Sequence, residues 1–184
     1  MIKTDDYVDF TSLQSLEAAF HGATKGKRYR TYSAYFNYHR LEVLLDLQDE
    51  LRSSSYSPRP HRHFTVNDPK KRLIDAPHFR DRIVHHAVCA ILKKVYEPCF
   101  IYDSFACRQG KGSHAALRRL QHLVRWQTDK PLYVLHLDIS KYYASVNHDV
   151  LKQLLRKKLS DPLLLQALDT IIDYYHSGTE HNHL

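Results

Sequence analysis

The sequence predicts an α+β fold, and three observations carry that expectation. Apolar residues recur at the 3.6-residue helical period in several segments. Two short β-rich runs separated by turn residues read as one hairpin. A further run, LYVLHLDI (132–139), has the apolar, β-branched composition of a buried strand. The order is helices, hairpin, helices, strand, helices, with no internal repeat and no interdomain linker.

Taken in order, residues 10–22 and 39–52 read as helices, the second because Leu41, Leu44, Leu45, Leu47 and Leu51 form a stripe between charged residues. Between them lies GKRYRTYSAYFNYH, where five Tyr or Phe residues alternate with Lys27, Arg28 and Arg30. That mixture suits base stacking with phosphate contact, and it suits packing of the flanking helices equally well. Ser and Pro mark 52–60 as a connection. HRHFTV (61–66) and KRLIDA (71–76) flank the turn residues NDPK and predict a hairpin. Residues 79–96 carry Ile83, Val84, Ala87, Val88, Ile91, Leu92 and Val95 on one helical stripe, which Pro98 closes. Gly110 and Gly112 bracket a loop before a helix at 113–126 that carries Arg118, Arg119 and Arg125. Strand 132–139 follows. Asn147 or Asp149 then caps a helix through Leu159, and Ser160 or Asp161 with Pro162 starts another through Tyr175.

Composition narrows the class. At 184 residues, with 43% hydrophobic and 26% charged, the chain is long enough for a packed core and too poor in Gly and Pro to be low-complexity or fibrous. No apolar run approaches a membrane span, and the acidic start MIKTDDYVDF is unlike a signal peptide, so no membrane partner and a cytoplasmic location are expected. Cys89, Cys99 and Cys107 form no CxxC pair and read as reduced thiols. The net charge of +7 is uneven. Residues 25–130 hold 21 Lys and Arg against 10 Asp and Glu, so the whole positive excess sits in the middle of the chain. A basic region of this kind fits a polyanion partner or a generously solvated surface.

Asp138 is the residue most open to a chemical role. It ends the expected strand and precedes the aromatic pair Tyr142 and Tyr143, where desolvation would penalise an unpaired charge. Mg²⁺ is a natural partner because it takes hard oxygen ligands and is typically held by one or two carboxylates with substrate phosphates; an Asp capping the next turn accounts for the residue as well. The tail His181-Asn182-His183 reads as structural because a histidine metal motif of that kind needs ligands well separated in sequence, and His85-His86 does so because neighbouring helical residues point about 100° apart.

Three blocks together resemble bacterial reverse transcriptases of the group II intron lineage, most closely those of diversity-generating retroelements. RHFTVNDPKKRLIDAPHFRDRIVHHAVCAIL (62–92) is similar to the family's fingers hairpin and following helix. YDSFACRQGKGSHAALRRLQ (102–121) is similar to its next block, and LHLDISKYYASVNHDVL (135–151) to the first catalytic block of the palm. The resemblance implies a right-hand polymerase fold: an N-terminal helical extension (1–60), fingers (61–130) and the first part of the palm (131–184), without the thumb.

It also implies roles for residues. Asp138 would bind catalytic Mg²⁺, with Mn²⁺ as a substitute, and the main chain at Ile139 could add a ligand. Two metal ions would clamp the attacking 3′-hydroxyl and the leaving pyrophosphate. Tyr143 matches the family's aromatic that crowds a ribose 2′-hydroxyl. Arg72, with Lys70 or Lys71, matches the basic residues that grip the incoming deoxynucleoside triphosphate, a task that suits a planar guanidinium. Arg80 and Arg82 read as template contacts or as members of a core network. Gln109, Lys111 and His114 match the loop near template and primer, Lys111 as a phosphate contact.

The family's aromatic-x-Asp-Asp block, which supplies the other metal-binding carboxylate, is absent from the 184 residues, so this chain alone is expected to be inactive as a polymerase. Expected partners are an RNA template, a DNA primer strand and deoxynucleoside triphosphates, together with an accessory nucleic-acid-binding protein or a missing C-terminal half. A non-catalytic RNA-binding or regulatory module derived from a reverse transcriptase stays open, as does a fragment of a group II intron maturase or a defence reverse transcriptase.

Overall fold

A computed structural model describes residues 9–27, 31–126 and 131–177. It confirms a mixture of helices with one small sheet, and the chain divides into two compact units, Met1–Val95 with Asn147–Leu184, and Tyr96–Val146. The tail histidines and Arg28 and Arg30 lie outside the described residues.

The first unit begins with α1 (Leu13–Thr24), whose start is fixed by short side chains: Ser12 Oγ accepts from the Ser15 N–H at 3.2 Å, and Asp9 Oδ1 accepts from the Thr11 N–H at 2.8 Å. Its stripe of Leu16, Ala19, Phe20 and Ala23 is buried, and α1 packs against α3 (Arg40–Arg52), which contributes Leu44, Leu47 and Leu51. The two helices are also tied by polar contacts, since Gln48 Nε2 donates to the Thr11 carbonyl at 2.7 Å and Arg52 pairs with Asp9 at 3.3 Å. The aromatic stretch between them, to which sequence reading assigned no secondary structure, forms a short helix, α2 (Thr31–Tyr38). Phe36 is turned inward and meets Phe79 at a centroid distance of 4.6 Å, so this ring serves packing.

The hairpin, β1 (Arg62–Asn67) and β2 (Lys71–Ala76), forms where expected, with Val66 opposite Arg72 and Phe64 opposite Ile74. Next, α4 (Phe79–Tyr96) has the predicted limits and buries Phe79, Ile83, Val84, Ala87, Val88 and Ile91. Phe79 meets Phe20 edge to face at 5.8 Å, and a Cβ at Gly22 would lie only 3.0 Å from His86 Nδ1. Glycine at that position therefore lets α1 and the His86 ring of α4 approach closely.

The unit closes with α7 (His148–Arg156) and α8 (Pro162–Ser177), the latter packed on α3 and α7; α5 and α6, which precede α7 in the chain, belong to the second unit. Of the two caps the sequence offered for α7, Asn147 is used, its Oδ1 accepting from the Val150 N–H at 3.0 Å. Asp161 Oδ1 accepts from the Leu164 N–H at 2.6 Å, and Pro162 takes the first helical position of α8. Lys152 pairs with Asp173 and Arg156 with Asp169, so two consecutive turns of α7 are stapled to α8.

Partial desolvation of histidines at the start of α4 and along it has a consequence for stability. Desolvation is the largest influence on His78, His85 and His86, and it pushes all three below the ordinary histidine value of 6.5. These rings fold neutral, so the unfolded chain binds more protons below that value. Stability they contribute is complete above about pH 6.5 and is lost as pH falls toward their lowered values. Thermal unfolding should therefore show a lower Tm at pH 5.5 than at pH 7.5, with the difference reduced in His85→Gln. An unchanged pH dependence in that variant would remove His85 from the effect.

In the second unit, a 3-10 turn at Glu97–Cys99 leads into a loop organised by Arg108. Its Nε donates to Glu97 Oε1 at 2.7 Å, its Nη1 donates to the carbonyls of Ile101 and Ser104 at 3.0 Å each, and its guanidinium carbon lies 5.3 Å from the Phe100 ring centre. Gly112 closes the loop at a φ of +107°, donating to the Phe105 carbonyl at 3.1 Å. The amphipathic helix α5 (Ser113–Trp126) follows as predicted, and none of its residues is buried. After it the expectation fails. Residues 132–139 form no strand, and the sheet formed by the described residues has only the two hairpin strands. The reason is physical: a strand exists through its ladder to a neighbour, and no described residue pairs with this run. A short helix, α6 (Tyr142–Ser145), ends the unit.

Candidate nucleic-acid interface

The hairpin presents its side chains to solvent along nearly its whole length, which is unusual for a ribbon carrying Phe64, Val66 and Leu73. Strand alternation places Arg62, Phe64 and Val66 on one face with Arg72 and Ile74, and His63, Thr65 and Asn67 on the other with Lys71, Leu73 and Asp75. The Arg62 guanidinium lies 5.9 Å from the Phe64 ring centre. Lys70, Lys71 and Arg72 are all exposed at the turn end. At the open end Asp75 Oδ1 sits 2.9 Å from His61 Nδ1 and 3.5 Å from His63 Nδ1, and the His61 ring meets Tyr174 of α8 at 4.9 Å. One end of the ribbon is thus braced, while toward the other Lys70, Lys71 and Arg72 are exposed together with Phe64, Val66 and Leu73. That combination can engage phosphate and a base face together.

Arg80 takes the core-network alternative. It is 4% exposed, pairs with Glu50, lies 3.8 Å from Asp81 Oδ1, and its guanidinium carbon is 5.8 Å from the centre of the Tyr56 ring. Asp81 is fully buried and accepts from the Tyr56 hydroxyl at 3.1 Å and the Arg59 N–H at 2.9 Å. Burial and the Asp81 carboxylate push the Tyr56 phenol far above its ordinary value, so it stays protonated and keeps its hydrogen for Asp81. Arg82 is half-buried with its guanidinium 5.1 Å from the Phe79 ring centre.

In the second unit, Lys111 is engaged locally. Its Nζ donates to the Tyr102 carbonyl and lies 4.2 Å from the Tyr102 ring centre and 5.0 Å from that of Phe105. Arg119 is likewise committed, to Asp103 at 2.8 Å, and this pairing holds the Asp103 carboxyl below its usual range. Gln109, His114, Arg118 and Arg125 remain exposed. Sequence reading gave Arg108 no role, although an Arg in a short loop punctuated by Gly110 and Gly112 is a signal for a side chain that organises backbone carbonyls.

Asp138 is exposed, and its Oδ1 accepts the Ile139 N–H at 3.0 Å. The desolvation expected from a buried strand is therefore not what distinguishes it here. Tyr143 is 89% exposed and meets Tyr142 at 5.3 Å. Among the described residues no three His, Cys, Asp or Glu side chains gather as a metal cage. One carboxylate at an open position fits Mg²⁺ only in the manner that leaves the other ligands to phosphate oxygens, water and further carboxylates. Lys70, Lys71, Arg72, Arg80 and Arg82 belong to the first unit, and Gln109, Lys111, His114, Asp138, Ile139 and Tyr143 to the second.

No family model matches the chain. It is 31% identical over 133 residues to Protein YkfC of Escherichia coli K12, a match covering 70% of this chain and 35% of that protein. It is 26% identical over 168 residues to the group II intron-encoded protein LtrA of Lactococcus lactis, covering 88% of this chain and 26% of that one. A 106-residue match at 26% identity joins it to Nuclear intron maturase 1, mitochondrial, of Arabidopsis thaliana, covering 56% of this chain and 14% of the relative. The chain thus spans about a third or less of these relatives, and its similarity is to group II intron-encoded proteins and a maturase. Among the described residues, no helix is long and apolar enough to cross a membrane.

Proposed function

We propose that the chain is the fingers and first palm portion of an RNA-directed DNA polymerase of the group II intron lineage, working on an RNA template with a DNA primer. The observation that carries this reading is the match to a group II intron-encoded protein over 88% of the chain, which includes the hairpin and the Asp138 segment. The particular likeness to retroelement enzymes that diversify genes belongs to the same proposal. Asp138 and the main chain of Ile139 would hold Mg²⁺, which when bound polarises phosphoryl oxygens and orients the attacking hydroxyl. Arg72 with Lys70 and Lys71 grips the triphosphate, and the Tyr143 ring crowds a 2′-hydroxyl. Gln109, His114 and the exposed Arg118 and Arg125 touch the nucleic-acid backbone, whereas Arg80 holds the fold.

The test uses the chain itself. A labelled RNA–DNA hybrid titrated with salt should bind weakly, with log K falling steeply against log salt as counterions are released. Replacing the exposed Arg118 and Arg125 together by Ala should flatten that slope by roughly one unit for each true phosphate contact and weaken binding on the order of tenfold at low salt. A folded protein that binds no hybrid at low salt would overturn the reading for this chain.

A further inference from the structure

We propose that Asp103 is a built-in stand-in for a nucleic-acid phosphate: it occupies a cationic site formed by Arg119 and Lys111, and a backbone phosphodiester of the bound nucleic acid takes its place. This deepens the polymerase reading and rests on it, since that reading puts the loop of Gln109, Lys111 and His114 beside template and primer. The site is built from residues of the second unit that already touch one another. Arg119 Nε donates to Asp103 Oδ1 at 2.8 Å and Nη2 donates to Oδ2 at 3.3 Å, so the guanidinium fork is filled by the oxygen pair of one group. The non-bridging oxygens of a phosphodiester offer that fork the same pair of acceptors. Lys111 Nζ lies 4.2 Å and the Arg119 guanidinium carbon 5.4 Å from the centre of the Tyr102 ring, so one ring gathers both cations. Lys111 gives one N–H to the Tyr102 carbonyl and keeps the others for a ligand. Both cations act on Asp103, whose carboxyl is held below its usual range first by the Arg119 hydrogen bond and then by the charges of Arg119 and Lys111.

Charge and framework favour exchange over a permanent clasp. Lys111 and Arg119 together outnumber the single Asp103 carboxylate, so the site stays attractive to an anion while Asp103 is seated. An exposed ion pair contributes little net stability, and a phosphate that replaces the carboxylate restores what the pair gave. The loop does not depend on the pair. Arg108 holds the carbonyls of Ile101 and Ser104, on either side of Asp103, and the Gly112 N–H bonds the Phe105 carbonyl. Asp103 can therefore turn its side chain to water while the backbone around it stays in place. The cations remain gathered at the Tyr102 ring, which lowers the ordering cost of meeting a phosphate. While seated, the carboxylate lowers affinity for every sequence alike, because it competes at a backbone contact that carries no base information.

Titration of the full chain with a labelled RNA–DNA hybrid, read by anisotropy, tests the exchange. Asp103→Asn should bind roughly three- to tenfold more tightly at low salt, with the fall of log K against log salt steeper by up to about one unit. In the Arg119→Gln background the same change should gain less than about twofold, because the fork it would free is gone. An equal gain in both backgrounds is a general loss of repulsion and overturns the proposal. So does a folded Asp103→Asn chain that binds no better or more weakly, the result a structural clasp would give. A further measurement leaves Asp103 intact. The Arg119 Nε–H resonance of the isotopically labelled parent, assigned by its absence from Arg119→Gln, should move when the hybrid is added, and a resonance unmoved at saturation overturns the exchange. A folded parent that binds no hybrid removes the polymerase reading and this inference together. A parent that binds as expected while Arg119 keeps Asp103 removes this inference alone.

Discussion

In a polypeptide that joins this chain to the remainder of a group II intron-type polymerase, Asp138→Ala is expected to lower primer extension on the order of 10³-fold while hybrid binding stays within about twofold. The size follows from what a metal ligand does: Lewis-acid stabilisation of a transferring phosphoryl group is worth several kcal/mol, and each 1.36 kcal/mol is about tenfold in rate. Affinity is spread over many cationic contacts and does not pass through one carboxylate. Asp138 is exposed and bonds only its neighbouring N–H among the described residues, so its loss leaves no buried group orphaned and the fold should survive. Primer extension and anisotropy on the same preparation separate the two effects. Extension retained at the parental rate would remove Asp138 from the chemistry.

Asp81→Ala is expected to destabilise the chain by about 3–5 kcal/mol, because it breaks a buried pair from one side. The change strands the Tyr56 hydroxyl and the Arg59 N–H and leaves the buried Arg80 with Glu50 as its remaining carboxylate. Tyr56→Phe removes only one donor and should cost about 1 kcal/mol. Denaturant unfolding measures both, and equal losses would mean that the carboxylate has no special weight in the network. Because native domains hold only about 5–15 kcal/mol, the alanine variant should sit close to its unfolding threshold at ordinary temperature.

The contrast between Asp81 and Asp138 shows where sequence reading succeeds. Helix α4 was legible to the residue because Ile83, Val84, Ala87, Val88 and Ile91 repeat on a 3.6-residue period that needs no knowledge of the partner. The hairpin was legible through NDPK and the β-rich runs on either side. The place of Arg80 was not settled, because Glu50 and Tyr56 stand more than 20 residues earlier in the chain and nothing local announces them. Helix α2 was hidden by its aromatics, which suit a base-stacking surface as well as they suit the packing that Phe36 performs against Phe79. The run 132–139 fails in the opposite sense. Its composition is that of a strand, yet pairing is a property of two segments, and composition reports only one of them.

Arg108 has a consequence for what can replace what during divergence. One guanidinium reaches a carboxylate and two carbonyls while its carbon lies near an aromatic ring, which uses the fixed fork of several donors at once. A lysine would keep the charge and lose the fork, since a single ammonium cannot span acceptors so disposed. Substitution tables score that exchange as mild. At this position it would act like a deletion of the loop's keystone, and homologues that carry lysine here would be expected to have rebuilt the 100–112 loop along with it.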